Sequence, residues 1–193
     1  MVNNFKLFIR KIVSISDQEF DETLKFFNEK KLKKGDYFVK QGEVCQHIAY
    51  ISEGLLRTYY FNDKSEEITS CFCVKNAMTS SYKSFINQEP SKLSIQALED
   101  TQLLIIDHKH LQILYSKSTI WQQIGRMLSE QEYIVIEHYA SVLNNETAKE
   151  KYLRLLQEQP HVIQKAKVED IASYLGVTRR TLSRIRQEIT TGV

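Results

Sequence analysis

The spacing of apolar and polar residues changes period twice along the chain. From Asp17 to about Lys31 the apolar residues Phe20, Leu24 and Phe27 recur three and four apart, which predicts a helix with Asp17 as its N-cap. Between Leu32 and about Asp107 that period is lost. Short runs rich in β-branched and aromatic residues (TYYF, EITSCF, LLIID) alternate with the turn-forming stretches KKGD, KQGE, SEG and FNDKSEE. Their spacing of about ten residues predicts an all-β sandwich, roll or barrel, with Gly35, Gly42 and Gly54 at strand junctions where a positive φ is useful. Helical spacing returns at Asp107, an expected N-cap for HKHLQILYSK, with Leu111 and Leu114 on one side.

The next stretch carries the longest stripe. Ile120, Ile124, Met127, Gln131, Ile134, His138 and Val142 approximate a 3-4 alternation, with Leu128 and Val135 beside them. Such a helix of about 25 residues is about 37 Å long. It could pack on its own domain, but its length beside a small β-domain favours a seam between two subunits, with Gln131 and His138 setting register. Pro160 is expected to end the following helix, and VIQKAK reads as a short strand or linker.

The segment VEDIASYLGVTRRTLSRIRQEI then divides at Gly176. Val168–Tyr174 and Arg179–Ile189 read as two helices, with Leu175–Thr178 as the bend and Thr178 as N-cap of the second. Ala172 is small enough for a close crossing, and Ile171, Leu175, Val177, Leu182, Ile185 and Ile189 supply a shared core, which is helix-turn-helix spacing. At 100° per residue, Arg180, Ser183, Arg184 and Gln187 point away from that core. Arg179 and Arg186 lie on one flank and Thr181 on the other. A solvated amphipathic helix accounts for polarity, but not for four arginines in eight residues with only Glu188 to offset them. Arginine and glutamine bond bidentately to guanine and adenine edges, and hydroxyls and helix N-terminal amides meet phosphates.

Charge supports this division. Net charge is only +2, yet Lys149 to Val193 holds nine Lys/Arg against five Asp/Glu, while the preceding 148 residues hold 17 against 19. A basic tail on a near-neutral body marks where a polyanion would dock. Three cysteines, Cys45, Cys71 and Cys73, fit reduced thiols and a cytoplasmic setting. Cys71 and Cys73 share one face of an expected strand and read as buried structural thiols, with redox sensing as the lesser reading. His108 and His110 read as solvent-facing, the pair Glu66-Glu67 as solvated, and Trp121 and Tyr133 as packing groups. With no nucleophile–base–orienter set and no phosphate loop, no enzyme activity and no cofactor are expected. No apolar run approaches the length that spans a membrane.

The glycine pattern KKGD–KQGE–SEG, the helix beginning near Ser118 and above all IASYLGVTRRTLSRI resemble the bacterial CRP/FNR family of transcription regulators over nearly the whole chain. The resemblance implies an α+β protein: an N-terminal double-stranded, jelly-roll-like β-roll of the cyclic-nucleotide-binding type (residues 1–117), a long dimerisation helix (118–143) and a C-terminal helix-turn-helix domain (144–193). It implies a homodimer on double-stranded DNA with an inverted-repeat operator, with RNA polymerase as a further partner. In family members the residues matching Arg179, Arg180 and Arg184 contact bases, with those matching Thr178, Thr181 and Ser183 near the backbone. The family commonly has glutamate at the position of Arg180, so its operator sequences do not transfer. Members that bind cyclic AMP hold the phosphate with a Gly-Glu pair at the start of a short helix and a later arginine. Here Ser80 and Ser81 replace the pair, Ser91 replaces the arginine, and Lys92 follows. Together with Lys83 these residues mark the expected effector pocket, for a small molecule other than cyclic AMP or for none. A second class stays open: a small-molecule-sensing module whose helical tail contacts protein rather than DNA.

Overall fold

The structure, a computed structural model, describes residues 1–191, and side chains for all of these except residues 135 and 138–145. Two helices, α1 (Val2–Ile12) and α2 (Asp17–Leu24), precede a roll of eight strands: β1 (Asn28–Leu32), β2 (Tyr37–Val39), β3 (His47–Glu53), β4 (Leu55–Phe61), β5 (Glu67–Val74), β6 (Met78–Thr79), β7 (Ser94–Ala97) and β8 (Thr101–Asp107). The short α3 (Tyr82–Asn87) interrupts the roll. Beyond it come α4 (His108–Lys117), α5 (Thr119–Asn145), α6 (Ala148–Glu158), α7 (Pro160–Lys165), α8 (Val168–Leu175) and α9 (Arg179–Thr191).

The strands form two antiparallel four-stranded sheets, ordered β1-β8-β3-β6 and β2-β7-β4-β5. The strands bury Val39, Tyr50, Ile51, Leu56, Ile95, Leu103 and Ile106 in one core, part of it between the sheets and part, at Tyr50, under α1. The tight β3–β4 connection depends on Gly54, whose φ of +105° and contact with Thr101 leave no room for a side chain.

α1 was not expected from the sequence. Its Phe5 and Ile9, one turn apart, are fully buried, and the Phe5 ring lies 5.1 Å from Tyr50 and 5.0 Å from Phe27. The expected helix from Asp17 to Lys31 is shorter, because Asn28–Leu32 pairs with β8 instead. Its N-cap is Ser16, whose Oγ accepts the Glu19 N–H at 3.2 Å in a capping box. Asp17 is drawn instead into ion pairs with Lys6 and Arg10. Asp107 does cap α4, accepting the His110 N–H at 2.8 Å. Pro160 opens α7 rather than ending α6, at the first helical position where its missing N–H is not needed. The segment VIQKAK is therefore largely helical, not a strand.

α5 has 27 residues, a length of about 40 Å. Its stripe divides. Ile124 is fully buried in the roll's core with Trp121, whose Nε1 donates to Thr23 Oγ1 at 2.9 Å, and Ile120, Met127 and Leu128 pack against the same core. The first half of the expected subunit seam thus packs on its own chain. Further along, Gln131 is exposed, and Tyr133, Ile134 and Ile136 are 68%, 62% and 59% exposed. Tyr133 is not a packing group within this chain. The expected seam residues Val135, His138 and Val142 lie outside the described side chains.

A second core joins the roll to the helical end. Leu55, Phe72 and Leu98 are buried with Tyr152, Leu155, Val162, Ile171, Ala172, Leu175, Leu182 and Ile185. Helix α8 sits on β5: Phe72 meets Tyr174 edge-on at 5.3 Å, and the Ser173 hydroxyl accepts the Thr69 N–H and donates to Glu67 O, each at 2.9 Å.

Candidate nucleic-acid interface and effector region

The bend between α8 and α9 is built by Gly176, which adopts φ +70° and ψ +30° at the end of α8. Its N–H reaches Ser173 O, and the Val177 N–H reaches Ala172 O at 2.9 Å, so carbonyls at the helix end are satisfied within the turn. Thr178 then caps α9, its Oγ1 accepting the Thr181 N–H at 3.2 Å. Ile171, Leu175, Leu182 and Ile185 are buried between the two helices, with Val177 and Ile189 packed at the margin. The residues buried here are those whose spacing marked them as a core shared by the two helices.

Burial of Leu182 and Ile185 leaves the opposite face of α9 outside. Thr178, Arg179, Arg180, Ser183, Arg184 and Gln187 are exposed; Thr181 and Arg186 are half-buried. Arg179 reaches back to Glu169 of α8 at 2.7 Å, and Arg184 lies 3.7 Å from Glu188. Both are solvent-exposed pairs of little energetic weight, readily exchanged for another anion. Arg180 makes no ion pair among the described residues. Arg186 differs: its guanidinium lies over the Tyr152 ring of α6, 5.5 Å from the centroid, so it braces the domain.

In the expected effector region the polar groups satisfy one another. Ser81 and Ser91 are buried, with their hydroxyls 2.8 Å apart, and Ser91 Oγ also meets Leu93 O at 2.7 Å and accepts the Leu93 N–H. The Ser80 hydroxyl donates to His47 O at 3.0 Å. Lys83 pairs with Glu89 at 3.2 Å, and Lys92 is exposed. The five residues are close in sequence, but they do not converge on one open cradle.

Three features went unread in the sequence. Arg57 of β4 is almost fully buried; its Nη1 lies 2.7 Å from Glu67 and 3.0 Å from Asp170 of α8, and its Nε donates to Thr69 Oγ1 at 2.8 Å. Its guanidinium also stacks 4.4 Å from the Tyr59 centroid. Glu67 is therefore not simply solvated. Burial pushes the Asp170 carboxyl above its ordinary range, and the Arg57 charge opposes that only in part. One signal was available: a lone arginine in the apolar run LLRTYYF.

The second feature is the cysteine pair. Cys71 and Cys73 do share a face, their sulfurs 3.8 Å apart, but Cys71 is exposed and Cys73 only half-buried, so they are not sealed structural thiols. Third, the two histidines are half-buried, each with a partner. His108 packs edge-on against Phe85 at 5.3 Å, and His110 Nδ1 meets Asp107 at 2.6 Å. No group of three or more metal-ligating side chains occurs among the described residues, and no described helix is long and apolar enough to cross a membrane.

Against known proteins, residues 29–118, which include all eight strands except the first residue of β1, match the model of the cyclic nucleotide-binding domain family. The fold as a whole, roll, long helix and helical C-terminal region, is similar to that of solved regulators, one of them described as of the crp/fnr family. FixK2 from Bradyrhizobium japonicum aligns with a TM-score of 0.71 at 19% identity over 86% of each chain. A protein of Eubacterium rectale described as a transcriptional regulator of the crp/fnr family aligns at 0.70 and 21% identity, over 92% of this chain and 85% of that one. CLP from Xanthomonas campestris, described as a c-di-GMP-responsive global regulator, aligns at 0.68 and 15% identity, over 89% and 90%. No curated protein matches the chain in sequence.

Proposed function

We propose that this chain is a CRP/FNR-type, sequence-specific DNA-binding transcription regulator that acts as a homodimer, with α9 in the major groove. The observation that carries the reading is the outer face of α9. Arg180, Ser183, Arg184 and Gln187 are exposed together over a buried Leu182–Ile185 core, next to a capped helix N-terminus able to meet a phosphate. Arg179 extends the base-reading face, and Thr178, Thr181 and Ser183 lie toward the DNA backbone. The exposed Tyr133, Ile134 and Ile136 of α5 supply an apolar strip for a second copy. A two-fold there would set two recognition helices about 34 Å apart on an inverted repeat. Residues 1–117 then act as sensor, 118–143 as dimer helix and 144–193 as DNA-binding domain, with RNA polymerase as the further partner.

The effector is taken to be something other than cyclic AMP. Ser81 and Ser91 spend their hydroxyls on each other, which supports a site without the donors a cyclic phosphate needs.

The test is selection of bound sequences from random duplex DNA with the full chain, followed by salt titration on the enriched site. An inverted repeat and a log–log salt slope steeper than about −4, corresponding to several phosphates, are expected. Absence of any enriched motif, with negligible affinity even at low salt, would refute the reading in favour of a sensing module whose tail meets protein.

A further inference from the structure

Strand β5 has two occupied faces. On one, Phe72 packs against Tyr174, and the backbone at Glu67 and Thr69 is tied to Ser173, so β5 is the seat of α8. On the other, Cys71 and Cys73 stand side by side with their sulfurs 3.8 Å apart and Thr79 Oγ1 3.6 Å from Cys73 Sγ. The strand is irregular at this point. Thr58 of β4 pairs with Cys71 but Tyr59 pairs with Thr69, leaving Ser70 as an extra residue beside the first cysteine.

We propose that Cys71 and Cys73 are an oxidative modification site, a dithiol that hydroperoxides convert to an intrastrand disulfide, and that closing it loosens the seat of α8 on β5. Cys71 is the exposed member and meets the oxidant first. A hydrogen bond from Cys73, the largest influence on it, lowers its thiol from the ordinary 9.0 to about 7, so part of it is thiolate near neutrality. That thiolate attacks the peroxide O–O bond, giving the Cys71 sulfenic acid and an alkoxide (or hydroxide) that takes up a proton. The Cys73 sulfur then attacks the sulfenic sulfur; the S–S bond forms and water leaves with the Cys73 proton. Two electrons pass from the thiols to the peroxide. A low-pKa, accessible thiol with a resolving thiol next to it is the arrangement this chemistry requires.

Closure cannot leave the strand as it is. Two residues along a strand span about 6.8 Å, the upper end of what a disulfide bridges. The sulfurs must also approach from 3.8 Å to about 2.0 Å. Contraction falls at Cys71–Cys73, and Phe72, which holds Tyr174, is the residue between them.

The experiment uses the purified, reduced full chain without DNA, so its outcome is independent of the DNA-binding reading. Stoichiometric hydrogen peroxide is added, remaining thiols are alkylated, and intact mass and hydrogen exchange are read. A loss of 2 Da in the peptide carrying both cysteines is expected, with exchange in Val168–Leu175 faster by at least about fivefold and restored by dithiothreitol. In Cys73→Ser the reaction should stop at a dimedone-trappable sulfenic acid with α8 exchange unchanged, and Cys45→Ser should behave as the parent. The proposal is overturned if both thiols remain alkylatable after peroxide. It is equally overturned if the disulfide forms while α8 exchange stays the same.

Discussion

Replacing Arg57 should destabilise the protein in a pH-dependent way that replacing its partner Asp170 does not. In Arg57→Met the Asp170 carboxylate, only 8% exposed at its side chain, loses its counter-charge, whereas Glu67, 44% exposed, keeps water. Asp170 can escape by taking up a proton. From an unfolded value of 3.8, the protonation penalty at pH 7 is about 4.4 kcal/mol, and at pH 5 about 1.6 kcal/mol. Those figures cap the charge-dependent part of the loss; the upper one falls within the ~3–5 kcal/mol range for breaking a buried pair from one side. The lost Thr69 hydrogen bond and Tyr59 stacking add about 1–2 kcal/mol at any pH. The sign follows from proton linkage: a carboxyl whose folded pKa is raised binds more protons folded than unfolded, so stability falls as pH rises above 3.8 and returns as pH drops. Asp170→Asn, by contrast, removes a charge that burial already disfavours and leaves Arg57 paired with Glu67 at 2.7 Å, so it should cost no more than about 1 kcal/mol. The double variant should recover most of the pH-dependent loss. Urea denaturation of the four proteins at pH 5 and pH 7 measures this. A loss in Arg57→Met that is the same at both pH values, or that the second substitution does not relieve, refutes the reasoning.

Arg180→Ala and Arg184→Ala should each weaken specific DNA binding by about 1–3 kcal/mol and relax selectivity at one position of the selected site. Arg186→Ala should instead lower stability by about 0.5–1 kcal/mol, read in a thermal melt, because its guanidinium covers Tyr152. Ile134→Ser with Ile136→Ser should convert a dimer to monomer in sedimentation, with folding retained, since both side chains are exposed within one chain. Iodoacetamide should alkylate Cys71 with a rate that rises to half its plateau near pH 7, and Cys73→Ser should move that midpoint up toward the ordinary thiol value, with Glu132 of α5 acting in the same upward direction. Gly54→Ala should destabilise the roll by more than about 1 kcal/mol in the same melts, because a methyl group at φ +105° would strike Thr101.

How much of this was legible in the sequence depends on how local the cause is. The bend at Gly176, the cap at Thr178 and the burial of Leu182 and Ile185 are settled within a few residues, and there the spacing was sufficient. The roll was legible as a class from its turns, but Asn28–Leu32 could not be recognised as a strand, because its pairing with β8 joins positions more than 60 residues apart. The α5 stripe shows the limit of a periodic pattern. Ile124 and Ile134 have the same spacing and chemistry, yet one is fully buried against Trp121 and the other 62% exposed, a difference set by where the roll ends.

The seat of α8 is the extreme case, and it bears on how a sensor could reach the DNA-binding end. Arg57, Thr69 and Asp170 meet from three elements, and Ser173 binds Thr69 across 104 residues of chain. Nothing in the local pattern around any of them announces the others. These contacts tie α8, and through it α9, to β4 and β5. Beyond the shared apolar core, that attachment is fixed by one buried charge pair, two hydroxyl hydrogen bonds and one aromatic contact, each worth about 0.5–3 kcal/mol. A perturbation of a few kcal/mol in β5 is therefore of the right size to shift it, without passing through α5 at all. If α9 reads DNA as proposed, the roll strand that touches α8 is a second route from the roll to that helix, and one that a modification at Cys71 and Cys73 would reach directly.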